Sequence, residues 1–144
     1  MIAGIATIVK ALAPQVKIIG VQPAASPALH DSLRDNKCYE EYPAAPTICD
    51  RLAGGIGKIC FEVSKQYVDD VAIVEERETR AAIRALAETQ QLVVEGSGAV
   101  GVAALLFDKV NLRGNKVAVV LSGGNIDLPL VKEVLDADAR GTRG

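Results

Sequence analysis

A serine and two glycines follow the last apolar run of the sequence. Residues 117–121 (VAVVL) predict a buried strand, and residues 122–125 (SGGN) follow it directly. In open α/β sheets, ligands bind beyond the carboxyl ends of the strands, where the Ser122 hydroxyl would lie. Glycines at such a point allow the backbone to approach a ligand closely. The same tetrapeptide could form a plain strand-to-helix turn, so the pattern alone leaves two interpretations open.

The other residues capable of nucleophilic or acid–base chemistry give weaker signals. His30 is the only histidine, and it stands beside Asp31 in a polar predicted helix. That setting favours a surface position and argues against triad chemistry. The cysteines Cys38, Cys49 and Cys60 form no CxxC pair, so neither a zinc site nor a disulfide framework is indicated. We expect ordinary reduced thiols.

Composition excludes several classes of protein. The chain of 144 residues carries a net charge of −2, and no basic stripe indicates nucleic-acid binding. No run approaches the ~18 apolar residues of a membrane span. The first positive charge, Lys10, follows the opening apolar stretch, which is the wrong order for a signal peptide. We therefore expect a cytoplasmic protein with no nucleic-acid or membrane partner.

Hydrophobic periodicity predicts helices that alternate with short β-branched strands. Ser26 and Pro27 are the predicted N-cap and first helical residue of the second helix. Residues 35–47 lack periodicity and predict a loop, and the charged tail 136–144 predicts fraying. The predicted helices cover residues 2–12, 28–33, 58–67, 75–89, 100–107 and 128–135, and the predicted strands cover 16–21, 68–74 and 117–121.

This alternation predicts the fold class. Helices between short parallel strands give an α/β fold with three αβα layers and a mostly parallel sheet. Residues 1–144 contain no internal repeat, so we expect a single domain. The first predicted helix has no preceding strand, and the loop that would feed that helix is where a phosphate would bind. We therefore expect residues 1–144 to be part of a larger domain.

Several segments, taken in order, resemble one enzyme family. Residues 119–125 (VVLSGGN) resemble the SGGN motif of fold-type II pyridoxal-phosphate enzymes, which share the tryptophan-synthase β-like architecture. The opening MIAGIATIVKALAP resembles the helix after that family's GGGGL phosphate loop. PTICDRLA resembles its TIADGLA, and LVVEGSGAVGVAALL resembles a typical EPSGAVGVAAL. The resemblance identifies the carboxy-terminal half of the catalytic domain of a serine/threonine dehydratase or serine racemase.

The resemblance implies a cofactor, pyridoxal 5'-phosphate, and residues that bind it. Ser122 would hydrogen-bond the pyridine nitrogen, and Gly123 and Gly124 would let the backbone approach the ring. Glu95 would lie near the same end of the ring, although it could instead be a solvated helix-cap acid.

The first helix would face the cofactor phosphate. Its dipole and the backbone amides of Met1 and Ile2 would favour a dianion there. The family's Schiff-base lysine, by contrast, has no counterpart in residues 1–144. None of the eight lysines lies in the family's S-x-K-x-R setting, so we expect no catalytic residue in this chain and no activity from the chain alone.

Two further positions depart from the family pattern. Arg51 replaces the glycine of TIADG, and it either points into solvent beside Asp50 or answers a substrate carboxylate; we favour the first interpretation. The metal site of racemase-like members uses a glutamate and an aspartate where this chain has Gln22 and Ala28. Because Mg²⁺ and Ca²⁺ prefer anionic oxygens, we expect no metal site. Asp31 and Asp35 are interpreted as helix-surface residues.

The activity that the resemblance implies is an α,β-elimination. L-threonine or L-serine, a small amino-acid substrate, would give a 2-oxo acid and ammonia. The alternatives are a serine racemase-like enzyme, another hydroxy-amino-acid dehydratase, or a non-catalytic α/β binding module. Because a partial sheet exposes apolar edges, we also expect a homo-oligomer.

Overall fold

The computed structural model describes residues 1–112 and 114–137. The chain forms two compact units, one built from Met1–Thr47 with Leu52–Ile73 and the other from Ile48–Arg51 with the chain from Val74 onward. The helices are α1 (Ile2–Leu12), α2 (Ala28–Arg34), α3 (Lys58–Tyr67), α4 (Glu76–Gln90), α5 (Gly96–Leu106) and α6 (Leu128–Asp136); the strands are β1 (Ile19–Pro23) and β2 (Asp70–Val74), and Asp50–Leu52 forms a single 3-10 turn.

Strands β1 and β2 are parallel neighbours, and α1 packs against α3. The small residues Ala3 and Ala6 and the ring of Phe61 are buried in this first unit. At the start of β2, Asp69 accepts hydrogen bonds from the Lys10 ammonium (2.6 Å) and the Ile18 N–H (2.7 Å). These two donors, Lys10 foremost, hold the pKa of Asp69 below its usual value. The α/β class expected from the sequence is confirmed.

The start of α2 differs from the sequence prediction. Pro27, not Ser26, is the N-cap residue. The side-chain oxygen of Gln22 accepts the N–H groups of Leu29 (2.9 Å) and His30 (3.0 Å), which satisfies donors that a serine cap would have bonded. Ser26 is buried, and its hydroxyl accepts the N–H of Gly54 at 3.0 Å. The prediction of a serine cap was wrong because the longer amide on β1 reaches the helix.

The loop at residues 35–47 has no helix or strand, as predicted, but it is attached to α2 by two tyrosines. Tyr42 donates a hydrogen bond to Asp31, and Tyr39 donates one to Asp35 at 2.9 Å. The Tyr42 bond is the main cause of the lowered pKa of Asp31. His30 lies 2.9 Å from Asp31. The two aspartates therefore act as loop anchors, not only as helix surface.

In the second unit, α4 packs on α5 and α6. Glu78 is only 2% exposed, and its carboxylate accepts the Glu75 N–H (2.8 Å) and the Lys109 ammonium (2.9 Å). Burial opposes ionisation of Glu78, but these donors outweigh it and hold its pKa below the ordinary 4.5. The pair ties the start of α4 to the segment that follows α5.

The third predicted strand is not formed. Residues 117–121 form no strand, and Val117, Val120 and Leu121 are 46%, 52% and 39% exposed. A buried strand needs hydrogen-bonded neighbours, and within the described residues this segment forms no backbone-to-backbone hydrogen bond. The strand prediction was therefore wrong for this chain as it stands.

Helix α5 begins at Gly96, four residues before the predicted start at residue 100. Its glycines allow the 117–122 segment to lie against the helix. A Cβ atom on Gly98 would overlap the carbonyl of Ser122, and one on Gly101 would lie 2.8 Å from a methyl of Val119. Because Gly98 and Gly101 have no Cβ atom, residues 117–122 can lie directly against α5.

The α6 helix is confirmed within one residue of its predicted end. The predicted fraying of the tail falls mainly on residues 138–144, outside the described residues. Across 1–112 and 114–137, no helix is both long and apolar enough to cross a membrane.

We predict that Gly98→Ala lowers the free energy of unfolding by about 1–3 kcal/mol, because the new methyl group would overlap the Ser122 carbonyl. Gly4→Ala is the matched control: it also changes a helical glycine, but no atom lies within 4 Å of the added Cβ. That change should raise the free energy of unfolding by up to about 1 kcal/mol. Urea unfolding of both variants measures the difference, and effects of equal sign and size would contradict the contact.

Candidate functional site

The first turn of α5 holds a second segment, residues 48–51. A Cβ atom on Gly96 would overlap the carbonyl of Ile48, so backbone meets backbone at this point. The Ser97 hydroxyl accepts the N–H of Arg51 at 3.1 Å. On the other side, the Ile48 N–H donates to the carboxylate of Glu76 at 3.0 Å. The segment that resembles the TIADG motif is therefore held by the start of α5 and by Glu76 at the start of α4.

Glu95 stands immediately before this turn, as the N-cap residue of α5. Its N–H donates to the carbonyl of Gly123 at 3.2 Å, and its Oε2 accepts the N–H of Asn125 at 3.0 Å. Glu95 is partly exposed, and its side chain forms no capping hydrogen bond to its own helix. The structure thus brings Glu95 together with the Ser-Gly-Gly-Asn tetrapeptide that the sequence singled out.

The two glycines of the tetrapeptide have different surroundings. Gly123 has a φ of +87°, a conformation that favours glycine, and the Glu95 carboxylate occupies the place of a Cβ atom. At Gly124 a Cβ atom would lie 3.1 Å from the carbonyl of Val93. The close approach at Gly123 is therefore to Glu95, a partner that the sequence did not predict.

Ser122 is partly exposed and lies outside the packed core. Its carbonyl rests against α5, and its hydroxyl forms no hydrogen bond to any other residue in the described part of the chain. A hydroxyl with a free proton and an open side suits a ring nitrogen that lacks a hydrogen, as the pyridine of pyridoxal phosphate does. The donor at this position therefore fits the cofactor that the resemblance implies.

Met1 and Ile2 lie in the other compact unit, at the start of α1. Met1 is the N-cap residue, is 74% exposed and provides no side-chain cap. No atom lies within 4 Å of a Cβ on Gly4. An open helix start of this kind fits an anion such as a phosphate, because its N–H groups and dipole are directed outward.

Arg51 has an exposed side chain. Its guanidinium is 64% exposed and lies 3.6 Å from the carboxylate of Asp50, which is itself exposed. This geometry agrees with the first of the two interpretations, in which Arg51 points into solvent beside Asp50.

Gln22 and Ala28, which occupy the positions of the racemase-like metal ligands, both belong to the start of helix α2 in their contacts. Gln22 caps α2, and Ala28 is buried at the start of that helix. In the part of the chain that the structure describes, no cluster of three or more His, Cys, Asp or Glu residues could hold a metal ion. Among the described residues, Cys38, Cys49 and Cys60 form no disulfide bond.

Sequence reasoning missed the role of the α5 glycines. The predicted helix covered residues 100–107 only, whereas Gly96-Ser97-Gly98 forms its first turn, which holds both segments. Two glycines separated by one residue beside a helix N-cap are the signal that could have revealed this contact surface.

Comparison with known proteins shows the family to which the chain belongs. The family model of the pyridoxal-phosphate dependent enzymes matches residues 1–123. An L-threonine ammonia-lyase from Thermotoga maritima is 41% identical over 137 residues, covering 94% of this chain but 34% of that protein.

Two solved structures are also similar. The T.th. threonine deaminase has a TM-score of 0.82 at 33% identity, covering 88% of this chain and 43% of that one. A serine racemase from Dictyostelium discoideum has a TM-score of 0.80 at 29% identity, covering 88% of this chain and 41% of that one. This chain thus spans about a third of the length of the Thermotoga relative. The family assignment and the cofactor expected from the motifs are confirmed: the chain belongs to the pyridoxal-phosphate dependent enzyme family, with its threonine dehydratases and serine racemases.

Proposed function

We propose that this chain is the carboxy-terminal part of the catalytic domain of an L-threonine/L-serine dehydratase. The enzyme would convert the hydroxy amino acid to a 2-oxo acid and ammonia by α,β-elimination. The observation that carries the proposal is the Ser122 hydroxyl, which the glycine loop leaves partly exposed and without a partner among the described residues. The 41% identity to an L-threonine ammonia-lyase supports the same reaction.

Each candidate residue has a separate task. Ser122 would donate a hydrogen bond to the pyridine nitrogen of the cofactor, and Gly123 and Gly124 would shape the loop beside the ring. The amides of Met1 and Ile2 would bind the phosphate. When bound, pyridoxal phosphate supplies a ring that withdraws electrons from the α-carbon of an amino acid.

The chemical type of the hydrogen-bond donor at Ser122 affects which reaction the cofactor would favour. A serine hydroxyl is neutral, so it does not hold the ring nitrogen protonated as an aspartate would. The weaker electron withdrawal that results suits a reaction in which a β-hydroxyl leaves promptly after the α-proton. Ser122 therefore favours elimination over reactions that need a long-lived carbanion.

We further propose that the lysine bonded to the cofactor lies outside residues 1–144. The described lysines have other partners or surroundings: Lys10 pairs with Asp69, Lys109 with Glu78 and Lys58 with Glu40. Lys37 and Lys65 lie over the rings of Tyr39 and Phe61, and Lys17, Lys116 and Lys132 are exposed. The amine that removes the α-proton would come from another part of the complete protein.

The isolated chain should therefore be inactive. Mixed with an equimolar amount of pyridoxal phosphate, it should develop no protein-bound imine absorbance, because none of its eight lysines lies in the family's S-x-K-x-R setting. It should also release no ammonia from L-threonine. Absorbance spectroscopy and an ammonia assay check both statements, and a positive result in either would show that one of the eight lysines performs the role.

The role of Ser122 is tested in the complete enzyme. Ser122→Ala should weaken pyridoxal phosphate binding by about tenfold, the cost of one lost hydrogen bond to a buried ligand atom. Cys49→Ala is the control, because Cys49 is buried within the same unit and its sulfur lies 3.9 Å from the Thr79 hydroxyl. Fluorescence titration gives both dissociation constants, with folding verified by circular dichroism. Equal dissociation constants for the two variants would refute the assignment.

A racemase remains the second candidate, supported by the TM-score of 0.80 to the Dictyostelium serine racemase. The products separate the two activities, since a racemase gives D-serine and a dehydratase gives pyruvate from the same L-serine.

A cytoplasmic location is also proposed, in keeping with a role in amino-acid metabolism.

We also propose that the chain forms a homo-oligomer. Residues 117–121 present apolar side chains, and their backbone forms no backbone hydrogen bond to another described residue, so it can pair with a strand of a second copy. Static light scattering should give a mass of at least twice the 15.1 kDa of one chain. A constant mass of 15.1 kDa over a wide concentration range would contradict the proposal.

A further inference from the structure

Helices α4 and α5 begin with the same residue type but use it differently. Glu75 and Glu95 are both N-cap residues with extended backbone conformations. At α4 the two carboxylates form a capping box, in which the Glu75 side chain accepts the backbone N–H of Glu78 and the Glu78 side chain accepts the Glu75 N–H at 2.8 Å. At α5 the Glu95 carboxylate forms no bond to its own helix and turns to the glycine loop.

Glu95 holds the loop on both sides of Gly124. The backbone N–H of Glu95 bonds the carbonyl of Gly123 at 3.2 Å, and the side-chain oxygen accepts the N–H of Asn125 at 3.0 Å. The same carboxylate fills the space beside the Gly123 Cα atom. Three contacts from one residue thus fix a tetrapeptide that would otherwise have few restraints.

We infer that Glu95 is a positioning residue that fixes the glycine loop and acts on the cofactor only through that loop. By holding Gly123 and Asn125, it keeps the Ser122 hydroxyl where that group has no partner among the described residues and can donate to a ligand atom. That Glu95 fixes the loop follows from the contacts alone. That it acts on the cofactor rests on the proposed function, in which Ser122 binds the ring nitrogen.

This role requires an acceptor atom of the right reach and does not require a negative charge. The Asn125 N–H needs an oxygen at the end of a side chain as long as that of glutamate. A glutamine offers the same reach with a carbonyl oxygen, whereas an aspartate keeps the charge but is one carbon shorter. A direct electrostatic contact with the ring would reverse this order of preference.

Three substitutions separate the two roles in the isolated chain. Amide hydrogen exchange of Asn125, measured by NMR on the ¹⁵N-labelled protein, reports the loop bond directly. Glu95→Gln should keep the exchange rate within about threefold of the original, while Glu95→Asp and Glu95→Ala should raise it about tenfold. Glu88→Ala is the control, because Glu88 pairs with Arg84 on α4, away from the loop. An unchanged Asn125 rate in Glu95→Ala would overturn the inference.

The same variants of the complete enzyme connect the loop to the cofactor. The dissociation constant of pyridoxal phosphate should stay within about threefold for Glu95→Gln and rise about tenfold for Glu95→Asp and Glu95→Ala. If Glu95→Gln weakens binding as much as Glu95→Ala, the charge acts on the cofactor and the positioning role is wrong. If the unsubstituted enzyme binds no pyridoxal phosphate, the proposed function fails, and the exchange rates alone decide the role of Glu95.

Discussion

The absence of a Cβ atom at Gly96 and at Gly98, in the first turn of α5, is the constraint on which the candidate site depends. At Gly96 and Gly98, any Cβ atom would overlap a carbonyl, that of Ile48 in one case and that of Ser122 in the other. Two chain segments therefore meet the same helix turn through backbone contacts. Such contacts vary little with side-chain motion, because packed backbone atoms have few alternative positions.

Two contacts connect that turn to the proposed chemistry of the site. Glu95, one residue before the turn, gives both its N–H and its carboxylate to the glycine loop. The loop in turn carries a serine whose hydroxyl has no partner among the residues described. In the proposed function, this neutral donor would meet the ring nitrogen and make the ring a moderate electron sink. The position of one hydroxyl would then link the fold to the type of reaction.

Much of this could be predicted from the sequence, because its local signals agree with the structure. The bounds of α1 and α3 agree with the prediction: periodicity and Pro14 indicated α1 and its end, and the glycines before residue 58 indicated the start of α3. Features that depend on distant partners were not predictable. The prediction that Ser26 caps α2 was wrong because the Gln22 side chain accepts the N–H groups at the start of that helix. The prediction of a strand at residues 117–121 was wrong because a strand needs hydrogen-bonded neighbouring strands. The Glu95–Asn125 bond joins residues thirty apart, beyond the reach of any periodicity.

The most direct test of the central claim is a crystal structure of the complete enzyme with pyridoxal phosphate bound. We expect Ser122 Oγ to lie within about 2.7–3.2 Å of the pyridine nitrogen, with the Glu95 carboxylate still bonded to the Asn125 N–H. A Ser122 hydroxyl bonded to another protein group, with the ring nitrogen facing a different residue, would contradict it.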